Sequence, residues 1–351
     1  MAQNSKKATI NDVAREAGVS KKTVSRVINK SPEVTQKTYQ KVEQAIARLD
    51  YTPDPQARGL SFRRSFLFGL IYDNVNTAFI ADIQDGVLDK SRSEGYELVV
   101  HPCEHGNSQW IDEVRLLIDR LKLAGVIVLP PLSENPELVK MLKGVDCEYV
   151  RILSVPLDDD AHMVQSDDRS AVAQIADHLI ELGHRNIGFI HGPKGSQAAA
   201  ERYAGFSDAL LRNKLKLLKR NLVWGDHSFA SGVVGAHKLL GGKTRPSAIV
   251  ASNDEMALGA MVAAAKLGID VPSQLSIVGF DDEPQAAKIY PSLTTVNHNL
   301  KRMGQLASEK LAALCRNQPE QAAQVQSVIC LDLIVRESTA KVPPEIQGND
   351  N

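Results

Sequence analysis

Residues 9–29 read TINDVAREAGVSKKTVSRVIN, and their pattern predicts two short helices joined by a glycine turn. Thr9 and Asp12 form an N-terminal capping pattern, and the apolar residues that follow recur at helical spacing. Gly18 tolerates the left-handed backbone that ends many helices, and Ser20 is a suitable cap for the second helix. This order of elements is that of a helix-turn-helix, whose second helix fits the major groove of DNA.

The predicted outer face of the second helix carries cationic, hydroxyl and amide groups. Such groups bind phosphates and the edges of bases. Together with the caps of the helices, they give the candidate DNA contacts Thr9, Ser20, Lys21, Lys22, Thr23, Ser25, Arg26, Asn29 and Thr35. The alternative is a pair of surface helices with a solvated polar face, which the spacing alone leaves open.

A third helix and a short fourth one are predicted after this motif. Thr35 can cap the third helix, which Pro53 ends because the residue before a proline leaves the helical region. Residues 54–60 are predicted to form a helix that is too short to be stable alone in water, so we expect it to fold on DNA. The candidate contacts in this segment are Ala57, Arg58 and Leu60. Leu60 is expected to wedge into the minor groove.

The basic charge of the chain is concentrated in residues 1–65. This segment holds thirteen Lys or Arg and six Asp or Glu, a net charge of about +7. The whole chain carries −1, so the remaining residues carry about −8. A basic segment on an acidic body is typical of a protein that binds nucleic acid, which favours DNA binding over a solvated helix pair.

A set of residues at fixed spacings extends through this basic segment. They are Asp12-Val-Ala, Ala17-Gly-Val-Ser20, Thr23-Val-Ser-Arg26-Val, Asn29, Val34-Thr35, Lys41-Val42, Leu49-x-Tyr51-x-Pro53 and Ala57-Arg58-x-Leu60. The set resembles the lactose-repressor/galactose-repressor (LacI/GalR) family of bacterial transcription regulators, and the similarity continues to about residue 340. The resemblance implies a homodimer or a higher oligomer that binds a near-palindromic operator in double-stranded DNA. It also implies a small-molecule effector that controls operator affinity.

The rest of the chain alternates apolar runs with amphipathic helical segments. The runs are Phe66–Asp73, Tyr96–Val100, Gly125–Leu129, Tyr149–Leu153, Asn186–His191, Leu222–Trp224, Ala248–Ala251 and Leu275–Phe280. The helical segments lie near 80–94, 110–122, 170–182, 200–213, 228–240 and 255–267. This alternation predicts doubly wound α/β layers with parallel sheets, so the expected fold is a small all-α head plus an α/β body.

The resemblance implies two similar subdomains in that body, joined by three crossovers as in periplasmic sugar-binding proteins. The crossovers are expected near 164–166, 294–297 and 326–328. The expected domains are a helix-turn-helix head at 1–53, a hinge helix and linker at 54–65, a body at 66–340 and a tail at 341–351. Within the body, the first subdomain spans about 66–164 and 297–326, and the second about 165–296 and 327–340.

Polar residues follow the apolar runs, and ligands of such folds bind at the carboxyl ends of the strands. The candidate effector contacts are Asp73, Asn74, Phe79, Asp168, Arg202, His227, Asn253, Asp281 and His298. Carboxylate, amide and guanidinium groups suit a polyhydroxylated ligand. The alternative is that Asp and Asn at these positions cap the next helix. Arg202 is less easily explained as a cap, because a cation at the start of a helix opposes the helix dipole.

The resemblance implies that Arg202, Asn253 and Asp281 contact the effector. His227 stands where the family commonly has an aromatic residue, and His298 where it usually has glutamine. We therefore expect a sugar or sugar derivative as effector, with a nucleobase or another small metabolite as the alternative. A sugar-binding protein without DNA function is the alternative class, and the basic head argues against it.

Other kinds of site are not indicated by the sequence. The four cysteines are scattered and lack metal-ligand spacing, so we expect reduced thiols, no metal and no cofactor. Residues 241–244 read GGKT, but His237 stands where a phosphate-binding loop needs glycine. No catalytic constellation, signal peptide or membrane-spanning stretch is present, so the chain is expected to be cytoplasmic and not an enzyme.

Overall fold

The computed structural model describes residues 8–28, 34–51, 65–73, 76–104, 107–153, 155–242 and 244–342. The candidate residues Asn29, Ala57, Arg58, Leu60 and Asn74 lie outside these ranges, as does most of the predicted hinge. The chain divides into two compact units. The first comprises the chain up to Leu67 together with Leu117–Ala124, and the second comprises the remainder.

The first unit contains three short helices around a small apolar core. They are α1 (Ile10–Ala17), α2 (Lys21–Ile28) and α3 (Gln36–Arg48). The core is formed by Val13, Ala14, Val24, Val27, Val42 and Ala45. The predicted helix-turn-helix and third helix are therefore confirmed, although α3 ends at Arg48, before Pro53.

The second unit contains two parallel sheets, each of which defines a lobe. The first six strands in chain order are β1 (Leu67–Tyr72), β2 (Glu97–Pro102), β3 (Gly125–Val128), β4 (Glu148–Leu153), β5 (Met163–Ser166) and β6 (Ile187–His191). The next six are β7 (Leu222–Trp224), β8 (Ala248–Ala251), β9 (Ser276–Val278), β10 (Thr295–Asn297), β11 (Val328–Ile329) and β12 (Asp332–Ile334). The first lobe has the strand order β11-β5-β4-β3-β1-β2, and the second has β7-β6-β8-β9.

Nine helices of the described ranges pack on or beside these sheets. In chain order they are α4 (Thr77–Ser93), α5 (Trp110–Leu121), α6 (Pro136–Gly144), α7 (Asp168–Glu181), α8 (Gln197–Arg212), α9 (Phe229–Leu240), α10 (Asp254–Lys266), α11 (Leu300–Cys315) and α12 (Pro319–Gln324). Helices α4 and α11 approach closely at Gly304, where a Cβ would lie only 2.3 Å from the carbonyl oxygen of Ile83. The predicted α/β fold with parallel sheets is confirmed.

The chain passes between the two lobes three times. The crossovers lie between Ser166 and Asp168, between Asn297 and Leu300, and between Ile329 and Asp332. Strands β10 and β12 form an antiparallel pair that joins the second lobe through bridges to Val278 and Asp281. Across the described ranges, the structure contains no helix that combines the length and apolar character needed to cross a bilayer.

Candidate functional site

Helix α2 has an apolar inner face and a polar outer face, as a recognition helix requires. Val24 and Val27 are buried in the core of the head. Lys21 and Lys22 are exposed, while Thr23, Ser25 and Arg26 are half-buried. The two lysines are therefore the most accessible of the candidate contacts on this helix.

The predicted cap residues stand at the N-termini of the three head helices. The backbone N–H and hydroxyl of Thr9 both donate to the Asp12 carboxylate, at 2.9 and 2.6 Å. The hydroxyl of Ser20 accepts from the amide of Thr23 at 3.1 Å, and Gly18 ends α1 with a φ of 64°. Thr35 precedes α3, but its hydroxyl bonds that of Thr38 and does not cap the helix amides.

A cavity of about 380 Å³ lies between the two lobes of the second unit. This volume is at the lower end of those typical of small-molecule sites. Seven of the sequence-predicted effector residues line it, namely Asp73, Phe79, Arg202, His227, Asn253, Asp281 and His298. The other lining residues are Asn76, Pro130, Pro131, Glu134, Ile152, Leu153, Ser166, Pro193, Ser196, Ala198, Asp226, Ser228 and Met303.

Arg202 is the centre of the polar network beside this cavity. Its Nε donates to Asp168 Oδ2 at 2.7 Å, and its Nη1 donates to the Ser252 carbonyl at 2.5 Å. Its Nη2 lies 3.4 Å from Asp281 Oδ1, and the guanidinium stacks on the Phe280 ring at 3.7 Å from the centroid. The guanidinium is thus fixed in one orientation, and its remaining N–H groups are available to a ligand.

Asp281 joins Arg202 to His298. Its Oδ1 lies 3.1 Å from Nδ1 of His298, and its backbone has a φ of 117°, which is strained for a residue other than glycine. Burial raises the pKa of Asp281, but the positive charge of Arg202 and the hydrogen bond to His298 outweigh burial. Its pKa therefore lies below the ordinary value, and Asp281 is an ionised acceptor at the cavity wall.

A second buried carboxylate, Asp254, supports the loop that carries Asp281. Its two oxygens accept hydrogen bonds from the Thr295 hydroxyl at 2.6 Å and from the backbone N–H of Glu283 at 2.8 Å. Burial, followed by the charge of Asp281, raises the pKa of Asp254 well above its ordinary value. Asp254 therefore fixes the backbone of the segment after β9 without lining the cavity itself.

His227 contributes a neutral imidazole ring to the cavity. Burial and the nearby Arg202 lower its pKa to about 4, so the ring is uncharged at neutral pH. The ring packs on Gly192, where a Cβ would lie 2.3 Å from Nε2, and Asn253 donates to the His227 carbonyl at 3.0 Å. Asn253 also caps α10 through the amide of Met256, so its predicted alternative role as a cap is present as well.

The structure changes the reasoning about two predicted residues. Asp168 is absent from the cavity wall, because its side chain is fully buried between Arg202 and Ser166. We therefore expect it to orient Arg202 and not to touch the effector. The argument that Arg202 begins a helix was wrong, since α8 begins at Gln197 with Ser196 as its cap and Arg202 lies in the second turn.

Several cavity residues were missed by sequence reasoning. Glu134 follows β3 and Ser196 follows β6, so the strand-end rule that selected Asp73 would also have found these two. Met303 comes from α11, a helix that the sequence analysis did not predict. Asn76 is the N-cap of α4 and accepts from the amides of Ala78 and Phe79, but nothing in its pattern indicates that it faces a ligand.

One group of metal-binding residue types lies outside the cavity. The ligand atoms of Asp158, Asp159 and His162 lie within 4.8 Å of one another on the first lobe. Asp158 pairs with Arg151 at 2.9 Å, and Asp159 with His162 at 2.7 Å. These contacts use the carboxylates within the protein, so we assign no metal to the group.

Two family descriptions and several relatives match the chain. Residues 9–54 match "Bacterial regulatory proteins, lacI family", and residues 176–339 match "Periplasmic binding protein-like domain". The repressor PurR of Photorhabdus laumondii is 33% identical over 330 residues, which cover 91% of this chain and 94% of that protein. Catabolite control protein A of Priestia megaterium is 31% identical over 320 residues, which cover 91% of this chain and 96% of that protein.

Two solved structures resemble the whole chain. A complex of the regulator CelR with cellobiose has a TM-score of 0.71 at 28% identity, covering 94% of this chain and 99% of that one. The lac repressor dimer bound to operator and the anti-inducer ONPF has a TM-score of 0.72 at 28% identity, covering 95% of this chain and 100% of that one. The head, the two-lobed body and these relatives agree, and the chain belongs to the lacI family of bacterial regulatory proteins as a DNA-binding transcriptional regulator.

Proposed function

We propose that this protein is a repressor of carbohydrate utilisation genes whose operator affinity is controlled by a small uncharged sugar. The head would bind DNA through α2, and the cavity between the lobes would bind the sugar. The observation that carries the proposal is the chemistry of the cavity wall, where a fixed guanidinium, Arg202, meets the ionised Asp281.

The polar groups of the cavity suit hydroxyl groups better than an anion. Four carboxylates line the cavity, those of Asp73, Glu134, Asp226 and Asp281, whereas Arg202 is the one Lys or Arg of the wall. Carboxylates accept hydrogen bonds from sugar hydroxyls and repel a phosphate or carboxylate group. We therefore expect neutral sugars to bind and sugar phosphates or uronic acids to be rejected.

The apolar part of the wall is compatible with a sugar ring. Phe79 is the one phenyl, phenol or indole ring among the lining residues, and Ile152, Leu153 and Met303 complete this side. A planar nucleobase gains most from aromatic faces on which it can stack. The wall provides Phe79 and two imidazoles, so a nucleobase is the second choice. The cellobiose complex of CelR supports the carbohydrate proposal.

The DNA-binding state that we propose is a homodimer on a near-palindromic operator. A two-fold dimer places two α2 helices on two half-sites, which accounts for palindromic operators. The lac repressor neighbour is described as a dimer bound to operator. In this state Lys21, Lys22 and Arg26 would contact base edges and phosphates, and residues 54–60 would fold in the minor groove.

A ligand screen followed by DNA binding tests the proposal. Thermal unfolding of the full chain is measured with neutral mono- and disaccharides, uronic acids, sugar phosphates and nucleobases, because a ligand of the folded state raises the midpoint. Any hit is then added to a gel-shift assay with DNA from upstream of the protein's own gene. A neutral sugar that shifts both measurements supports the proposal. A nucleobase or anionic sugar as the sole hit would overturn the choice of effector class.

A further inference from the structure

Two glutamates each bond from one lobe to the other beside the cavity, and neither bonds Arg202. Glu283 comes from the second lobe and accepts a hydrogen bond at 2.5 Å from the side-chain nitrogen of Asn76 in the first lobe. The side-chain oxygen of Asn76 accepts from the amides of Ala78 and Phe79. The amide group of Asn76 therefore has one orientation, with its NH₂ toward Glu283.

Glu134 makes the reciprocal contact. It comes from the first lobe, and its Oε2 accepts from the backbone N–H of Gln197 at 3.4 Å. Gln197 is the first residue of α8 in the second lobe, where unpaired amides and the helix dipole attract a carboxylate. Each lobe thus offers a glutamate to the first turn of a helix in the other lobe.

Both contacts include a residue that lines the cavity, Asn76 in one and Glu134 in the other. Glu283 is two residues after Asp281, and Asn76 is three residues before Phe79. Separating the lobes would break the two hydrogen bonds and move Phe79 away from Asp281. The two hydrogen bonds can therefore form only while the lobes keep their present separation.

We propose that Glu283 and Glu134 are positioning residues that hold the two lobes closed around the effector. The proposal rests on the proposed function, in that the effector occupies this cavity. A ligand that binds the closed arrangement gains affinity from any contact that already favours closure. The glutamates would therefore set the effector concentration at which the repressor responds without touching the effector.

The electrostatics of Glu283 agree with a contact that forms on closure. Its pKa is raised to about 7, first by burial and then by the negative charge of Asp281, with smaller contributions from Glu255 and Asp82. Asn76 opposes this rise by donating its hydrogen bond, and Asp254 accepts from the Glu283 backbone N–H. An open cleft would solvate Glu283 and return its pKa toward the ordinary value, so closure takes up a proton. Protonated Glu283 therefore favours closure, and ionised Glu283 opposes it.

The test compares Glu283→Ala, Glu283→Gln and the control Glu137→Ala in the full chain. Glu137 lies in the first lobe, where it pairs with exposed Lys140 at 3.6 Å. Hydrogen exchange is followed at the amides of Phe79 and Gln197 without any ligand, at about pH 6, where Glu283 is mainly protonated in the closed arrangement. We expect Glu283→Ala to speed hydrogen exchange at the Phe79 amide by about tenfold, which corresponds to a loss of about 1.4 kcal/mol in the free energy that favours closed lobes. Glu283→Gln keeps an acceptor for Asn76 and should restore protection, and Glu137→Ala should have no effect.

The second readout is the affinity for the sugar identified in the screen. We expect Glu283→Ala to weaken it by up to about tenfold, because a tenfold smaller equilibrium constant for closure lowers the population of the closed state by at most that factor. In the wild type, the affinity for the sugar should fall by up to about 30-fold from about pH 5.5 to about pH 8, and Glu283→Gln should abolish this pH dependence. If Glu283→Ala leaves exchange at Phe79 unchanged, or matches Glu137→Ala in both readouts, the proposal is wrong. If no sugar binds the wild type, the proposed function fails while the exchange experiment still decides the closure contact.

Discussion

Replacing Arg202 by Ala would remove the guanidinium that pairs with the two buried carboxylates of Asp168 and Asp281. The side chains of Arg202, Asp168 and Asp281 are exposed by 6, 0 and 7%. Removing one partner from such a buried group typically costs about 3–5 kcal/mol, because the remaining charge stays in a poorly solvated place. In a domain of this size each kcal/mol lowers the unfolding midpoint by about 2–4 °C, so we expect a fall on the order of 10 °C.

A matched control lies ten residues later on the same helix. Arg212 pairs with Asp177 at 2.6 Å, but the two side chains are 57 and 40% exposed. An exposed pair contributes about 0–1 kcal/mol, so Arg212→Ala should leave the midpoint nearly unchanged. The assay is thermal unfolding of both variants, followed by gel shifts at a temperature well below both midpoints.

The functional part of this prediction is a loss of the sugar response with retained DNA binding. The proposed DNA contacts on α2 belong to the head, which has its own core, so Arg202→Ala should bind operator like the wild type. If that variant does not fold, Arg202→Lys keeps the charge but loses the planar fork of donors, and should reduce the response with a smaller stability loss. A variant at Arg202 that still responds at the wild-type sugar concentration would refute the assignment of the cavity.

Three further predictions concern other parts of the chain. His184 is buried, and burial lowers its pKa to about 4. His184 alone should therefore destabilise the folded state by about 1.4 kcal/mol per pH unit as pH falls from about 6.5 toward that value, and the stability of His184→Gln in urea unfolding should fall less steeply by that amount. Lys310 is buried and donates to the carbonyls of Ala322 and Val325 at 2.9 and 2.7 Å. Lys310→Met should therefore lower the free energy of unfolding in a urea titration by about 3 kcal/mol, and an unchanged midpoint would show that these carbonyls find other partners. Lys22→Ala should alter sequence preference at one operator position by about 1–3 kcal/mol, whereas an equal loss on every DNA would show that Lys22 contacts only phosphate.

The parts of the fold that sequence reasoning predicted are those fixed by local interactions. Thr9, Asp12, Gly18 and Ser20 act within a few residues of their own positions, and the structure places each of them as expected. The central parallel strands β3, β6 and β8 were visible because both of their faces are buried, which leaves continuous apolar runs. Each such signal lies within one segment of chain and does not depend on what packs against it.

Helix α11 shows what the sequence did not reveal. It contributes Met303 to the cavity, yet it begins after Asn299, which has a left-handed backbone and no side-chain cap. Its buried residues are distributed around most of the helix circumference and include the charged Lys310. Neither a cap nor a one-sided apolar stripe therefore marks this helix in the sequence. The contacts of Glu134 and Glu283 are equally invisible in sequence, because they depend on the spacing of two lobes.

The position of the polar network explains why a ligand in this cavity would act on lobe arrangement. Asp168 directly follows the first crossover, and His298 lies within the second. Arg202 bonds Asp168, and Asp281 links Arg202 to His298. A ligand that contacts Arg202 or Asp281 therefore contacts the residues that hold two of the three chain passages between the lobes. A change in lobe angle would alter the side chains that we propose bind the ligand. Ligand binding and lobe movement would then be coupled by shared contacts, and each would shift the other by the same free energy.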